Sequence, residues 1–392
     1  MSEVKKAFLE KIHIKNFLSL RDVTFPFKPL TVLVGPNASG KSNTLLALHL
    51  LNRMIVDDGL PLDELIMDSL WTSEAEKISF GLETKVEKNK TSYHLEVKAK
   101  PNFSFHEEQL SVNDANVISI ENGHGVVRDE NGKNETTYNS NKLALGSAGN
   151  YGNKPTTRAL TRFIKEWEFY DFSPNFMRNN LATISHGKTE IRGPLKLDTY
   201  GVNLANVLWN WHQYSPESFR NISDSLAAST NREIVQRSIK NQLCLLEGYK
   251  NPIPLYGASD GTLRLVAYYI LLNEPELPPL IAIEEPERNL HPGALTDIAN
   301  VLEQIAERSQ VIITTHSSQL LDAFNPASLS DSLGILLLHN RPGFGTEAHH
   351  LEEYRGKREA LQGWIDDFGI GSAIFDSELL QDILEDKSEC QA

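Results

Sequence analysis

Four short segments carry residue types that can do chemistry on a phosphate. Gly35-Pro36-Asn37-Ala38-Ser39-Gly40-Lys41-Ser42 fits the pattern G-x-x-x-x-G-K-[ST]. A loop of this kind presents backbone N–H groups to a polyphosphate, and Gly35 and Gly40 allow the tight turn it needs. Lys41 would reach the β- and γ-phosphates, and the Ser42 hydroxyl would ligate Mg²⁺. Asn43 completes the candidate nucleotide-binding segment. Leu280-Ile281-Ala282-Ile283 ends in Glu284 and Glu285, followed by Pro286. Successive strand residues point to opposite faces, so two adjacent acids take separate roles only where the strand ends and the chain turns. Glu284 is then the metal contact and Glu285 the group that orients or deprotonates a hydrolytic water. Val311-Ile312-Ile313-Thr314-Thr315 ends in His316, which can hydrogen-bond a γ-phosphate and sense its presence. Ser259-Asp260-Gly261 opens a helix whose N-terminus could meet a phosphate held by a second copy of the chain.

Each segment also has a plainer reading: a glycine turn, a glutamate-rich surface loop, a satisfied polar histidine, a helix cap. Their flanks favour chemistry. The loop follows the apolar run Leu30–Val34 and precedes a helical pattern that reaches about Met54, which is the strand–loop–helix setting a phosphate loop requires. The runs 280–283 and 311–315 are continuous and apolar, as in strands covered on both faces. Between and after them, 262–273 and 293–307 read as helices. The loop and 258–316 are therefore expected to share one sheet, with 77–245 inserted between. Within that insertion, 77–154 alternates with turn signals and reads as antiparallel strands, among them 117–120 and 125–128 with a turn at 129–132. Residues 155–245 read as helices: 157–167, 203–212, 217–228 and 232–246. The expected organisation is an ATPase core of 1–76 and 246–345, inserted strands at 77–154, a helical subdomain at 155–245 and an acidic segment at 346–392.

Composition narrows the class. The chain has 392 residues, 40% hydrophobic and 23% charged, with no apolar run long enough to span a membrane. Two cysteines, Cys244 and Cys390, supply neither a disulfide framework nor a zinc site, which fits a reducing cytoplasm. The net charge of −14 is uneven. Residues 1–60 carry eight Lys/Arg against five Asp/Glu, whereas 346–392 carry four against twelve. Much of the acidity therefore sits at one end, and the total neither supports nor excludes DNA as a partner.

The order of these motifs, P-loop, S-D-G-T, I-E-E-P-E-x-x-L-H-P and T-T-H-S, resembles the ABC-type ATPases of the branch containing SMC, RecF and OLD proteins. The nearest likeness is to stand-alone AAA-type ATPases of that branch, many encoded in bacterial anti-phage defence loci. Ile14-Lys-Asn-Phe-Leu-Ser-Leu-Arg-Asp22, Phe169-Tyr-Asp-Phe-Ser-Pro174 and Gly201-Val-Asn-Leu-Ala205 also look like segments of such proteins. The resemblance implies an α/β P-loop NTPase fold built on an SMC-head-like sheet. It also implies ATP and Mg²⁺ as cofactors, and a homodimer in which Ser259 and Gly261 touch the γ-phosphate in trans. Glu285 would be the catalytic glutamate, His316 the switch histidine, and Asn289-Leu290-His291 a dimer-side loop. A separate effector, nuclease or toxin, is the implied partner. Asp260 departs from the glycine usual at its position, and no glutamine switch loop can be placed. An ATP-dependent scaffold with little turnover is the main alternative. An OLD-like nuclease has only 76 residues after His316 in which to fit its catalytic domain. The insertion argues against a transporter subunit.

Overall fold

A computed structural model describes residues 7–57, 69–72, 74–100, 103–148, 152–178, 195–237, 242–247, 251–329, 331–355 and 359–376. Residues 377–392 of the expected acidic segment at 346–392 lie outside these residues.

Two large sheets organise the chain. The first is antiparallel and has eight strands: β1 (Ala7–Phe17), β2 (Leu20–Pro26), β4 (Lys77–Val86), β5 (Asn89–Lys98), β6 (Ser104–Val112), β7 (Ala115–Glu121), β8 (His124–Arg128) and β9 (Glu135–Asn139). Its order is β2-β1-β4-β5-β6-β7-β8-β9, so the strands of 77–139 extend a hairpin made at the start of the chain. The second sheet contains β3 (Leu30–Val34), β10 (Glu168–Tyr170), β14 (Leu280–Glu284), β15 (Gln310–Thr315), β16 (Leu333–Arg341) and β17 (Gly345–His350). Its order is β10-β14-β15-β3-β16-β17, parallel except at β17.

Every residue of β3 and β15 is buried, because the sheet is covered on both faces. Alternation divides those residues between two cores. Leu30, Val32, Val34, Ile281, Ile283, Val311 and Ile313 pack with the helices Leu204–Tyr214, Asp260–Asn273 and Leu295–Ala306. Leu33, Leu280, Ala282 and Ile312 face the other way, onto α1 (Lys41–Val56) and the eight-stranded sheet. α1 is thus enclosed between two sheets, burying Leu45, Leu48, Leu51, Met54 and Ile55 at helical spacing.

The helices at Pro155–Lys165, Leu204–Tyr214 and Pro216–Thr230 match the sequence pattern. Residues 232–246 do not. Asn231 takes a left-handed conformation (φ 56°) and stops the preceding helix. The chain then forms β11 (Arg232–Arg237) and β12 (Gln242–Glu247), with β13 (Ile253–Pro254) alongside. β-Branched Ile234 and Val235 pair with Leu245 and Cys244, and Ile234, Leu243 and Leu245 join the core. Cross-strand burial outweighs the helical spacing of the leucines.

Candidate functional site

The parallel register brings the carboxyl ends of three strands together, where ligands of open α/β sheets bind. Glu284 lies opposite Thr314, Thr314 opposite Leu33, and Thr315 opposite Val34, one residue before Gly35. The 35–42 loop therefore stands beside both acid-bearing and histidine-bearing strand ends. Its glycines are required by space as well as by turning. A Cβ on Gly35 would collide with the Leu338 carbonyl, and one on Gly40 (φ 105°) would collide with Thr346. α1 starts at Lys41 with no side-chain cap, so its first N–H groups remain turned to the loop.

Lys41 is almost fully buried, and its Nζ donates to the carbonyls of Gly35 (2.8 Å) and Pro36 (2.9 Å). Burial pushes its pKa down, while the charges of Glu285, Glu287 and Glu284 act in the opposite direction. Ser42 Oγ donates to Glu284 Oε1. A hydroxyl and a carboxylate oxygen in direct contact form a hard-oxygen pair suited to Mg²⁺, which usually keeps phosphate and water oxygens for its remaining positions. The residues present therefore fit a Mg-nucleotide.

Glu285 begins the turn after β14 at φ 41°, a costly conformation for a non-glycine residue. Its N–H bonds Thr314 O and Thr314 Oγ1, both at 3.1 Å, and the Arg264 guanidinium bonds its carbonyl at 3.3 Å. This over-determines the turn and fixes where the carboxylate points. Oε2 accepts from Arg288 Nε at 3.0 Å, and Oε1 lies 3.2 Å from His316 Nδ1. Burial raises the Glu285 pKa, but Arg288 and then His316 more than reverse this and hold it below the ordinary range. Glu287 behaves oppositely. It is buried, burial pushes its carboxyl up, and Oε1 accepts from Thr315 Oγ1 at 2.6 Å.

The 259–261 segment packs elsewhere. Ser259 caps its helix through Thr262 N–H, and the nearest atoms to Gly261 belong to Asn289 and Leu290. Asp260 pairs with Arg178 at 2.5 Å and accepts from Asn289 Nδ2 at 3.4 Å. Thus Lys41, Ser42, Glu284, Glu285 and His316 form one cluster, while Ser259, Asp260 and Gly261 form another with Asn289. The Glu285–Asn289 turn connects the two.

Sequence reasoning passed over several supports. Thr346 Oγ1 donates to Ser39 O (3.1 Å) and meets Ser19 Oγ (2.7 Å), which accepts from Asn43 Nδ2 (2.8 Å). Ser19 and Asn43 lie within recognised segments; Thr346 has no local signal. Glu287 and Arg288 sit inside the I-E-E-P-E-x-x-L-H-P run, and Asp171 inside F-Y-D-F-S-P. Asp171 directly follows β10, the neighbour of β14, and meets Arg288 Nη1 at 3.2 Å.

Residues 30–322 match the family described as "AAA domain, putative AbiEii toxin, Type IV TA system". The chain belongs to this family. As a member, it contributes the loop, the acidic strand end and the histidine strand end from within the matched span. Its fold is that of an SMC head. It is similar to the SMC head bound to the C-winged helix domain of ScpA (TM-score 0.52, 13% identity, 89% of this chain and 99% of that one). It also resembles the Pyrococcus furiosus SMC head with an extended coiled coil bound to the ScpA C-terminal domain (TM-score 0.50, 12% identity, 91% and 100%). Over 42 residues it is 45% identical to the OLD nuclease of Thermus scotoductus, which is 11% of this chain and 8% of that protein. Among the described residues, no helix is long and apolar enough to cross a membrane.

Proposed function

We propose that this chain is a Mg²⁺-dependent ATPase working as a molecular switch. ATP held at Gly35–Asn43 would join two copies through Ser259–Gly261 of the opposing copy, and hydrolysis would release them. The observation that carries the reading is the convergence of Lys41, the Ser42–Glu284 pair and the Glu285–His316 pair at three adjoining strand ends.

Lys41 and the α1 N-terminus bind and orient the polyphosphate. Ser42 and Glu284 would hold Mg²⁺, which supplies charge neutralisation on the β- and γ-phosphates. Glu285, kept ionised by its neighbours, takes a proton from the attacking water as the new O–P bond forms and the bond to ADP breaks. His316 holds Oε1 of that carboxylate and would sense the γ-phosphate.

The family description names a toxin of a toxin–antitoxin system, and the SMC heads are named with ScpA. The bound ScpA domain is in keeping with a switch that acts through a separate partner protein; a role in DNA maintenance or anti-phage defence is what the motif resemblance implies. The short OLD match does not carry that protein's nuclease activity across. The test is phosphate release from Mg-ATP alongside nucleotide binding. Lys41→Ala is expected to lose binding. Glu285→Gln is expected to keep binding and lose turnover by about 10²–10⁴-fold. Wild-type protein that binds ATP and releases no phosphate would replace the ATPase with a scaffold.

A further inference from the structure

Two side chains hold the Glu285 carboxylate, Arg288 at Oε2 and His316 at Oε1. Arg288 belongs to the same turn as Glu285, and its N–H closes that turn on Glu285 O at 3.1 Å. His316 arrives from a different strand. It stands one residue beyond β15, and its side chain is 55% exposed. The direction of its imidazole therefore depends on how the backbone leaves the strand.

Glu287 fixes that exit. Its side chain is only 8% exposed. Oε1 accepts from Thr315 Oγ1 at 2.6 Å and from the His316 N–H at 3.4 Å. Thr315 Oγ1 in turn accepts from the Ser317 N–H at 3.0 Å, and Ser317 Oγ caps the helix Ser318–Asp322 by accepting from the Leu320 N–H at 3.1 Å. Residues 315 to 317 are thus gathered, directly or through the Thr315 hydroxyl, on one carboxylate oxygen. That oxygen comes from the turn after β14, which Glu285 begins. Glu287 registers the acid-bearing turn against the histidine-bearing strand end.

The other oxygen, Oε2, is buried and has no hydrogen-bond partner among the described residues. An unpaired buried carboxylate oxygen opposes folding, and an apolar side chain of the same size would oppose it less. Stability alone does not account for an acid at this position; the alignment of Glu285 with His316 does.

We propose that Glu287 is a positioning residue for hydrolysis: by accepting from Thr315 and from the His316 N–H, it holds His316 on the Glu285 carboxylate. This rests on the ATPase reading above and adds a residue to its machinery. What Glu287 supplies is an acceptor at Oε1. An amide in its place serves, whereas an apolar side chain of equal length does not. Losing the acceptor frees the 315–317 turn, and the imidazole leaves its place beside Glu285. Lys41, Ser42 and Glu284 keep their own contacts, so nucleotide binding is retained.

The experiment compares full-length wild type with Glu287→Gln, Glu287→Met and Thr315→Val, the last deleting the same bond from its other end. It reads kcat and KM for Mg-ATP. It also reads, without nucleotide and at one fixed pH, the carbon–proton NMR signal of the His316 ring, assigned by its loss in His316→Gln. Glu287→Met and Thr315→Val are expected to lower kcat by about tenfold to hundredfold at unchanged KM, the order of effect of misplacing a catalytic group by about 1 Å. Combining them should slow the enzyme no further, since each removes the same interaction. Glu287→Gln is expected to stay within about threefold of wild type, because the acceptor remains. The ring signal should move in Glu287→Met and Thr315→Val and keep its place in Glu287→Gln. Thr315→Val carries the test if Glu287→Met does not fold. Wild-type kcat in the bond-deleting variants, Glu287→Gln as slow as Glu287→Met, a raised KM in place of a lowered kcat, or a ring signal that never moves overturns the inference and leaves the ATPase intact. Wild-type protein that releases no phosphate overturns the ATPase reading, and the role assigned to Glu287 with it.

Discussion

Replacing Gln310 with Met should destabilise the whole chain although it touches no nucleotide ligand. Gln310 is fully buried at the start of β15, and its side chain crosses to the other sheet. There Oε1 accepts from Leu9 N–H at 3.0 Å and Nε2 donates to Leu9 O at 2.8 Å. Leu9 has no partner in β2, whose pairing with β1 starts at Lys11 and Pro26, so Gln310 takes that place. Met keeps the length and volume of the side chain and removes both polar ends, so packing is nearly conserved. The backbone N–H and C=O of Leu9 are left without partners in a dry interface, at about 1–3 kcal/mol each. The expected loss is about 2–6 kcal/mol, a large fraction of the roughly 5–15 kcal/mol that holds a native fold. Urea unfolding followed by circular dichroism measures it. Gln310→Glu supplies a second sign: an ionised carboxylate faces the Leu9 carbonyl, whereas a protonated one can donate to it. The folded state thus favours the acid form, and this variant should regain stability as pH falls. A loss under about 0.5 kcal/mol in Gln310→Met, the range of ordinary surface changes, would refute the reasoning.

Thr346→Val removes the hydroxyl that donates to Ser39 O and meets Ser19. One buried acceptor behind the loop is then unpaired, and ATP affinity by calorimetry should weaken by about fivefold to tenfold; unchanged affinity would show that the loop does not depend on β17. Burial pushes the Glu274 carboxyl up to about 7, against the opposing charge of Lys196. Because this is above its ordinary value, Glu274 favours the fold fully at pH below the ordinary glutamate range and loses that contribution as pH rises through about 7. Glu274→Gln should therefore raise the thermal midpoint at pH 8 more than at pH 5; an equal change at both would contradict the assignment.

What could be read from the sequence was local. Gly35–Ser42 is legible because its residues meet the phosphate through consecutive backbone groups, and the strands 280–284 and 311–315 because burial on both faces leaves uninterrupted apolar runs. The supports were not legible, since they join residues far apart in the chain: Leu9 with Gln310, Ser39 with Thr346, Asp171 with Arg288. A lone glutamine or threonine has no periodicity to announce such a partner. The 232–246 segment shows the complementary limit. Its leucines fit a helix by spacing, and only the cross-strand pairing of Ile234 with Leu245 decides for a hairpin. The position of Asp171 likewise emerges only once β10 is seen beside β14.

The account turns on ATP joining two copies of the chain. Light scattering on Glu285→Gln, with and without Mg-ATP, tests that directly, since the change preserves the charge-independent shape of the site and removes the base. The account predicts a molar mass that doubles from 44.0 kDa only when Mg-ATP is present. A mass unchanged by Mg-ATP, in protein shown to bind the nucleotide, would contradict it.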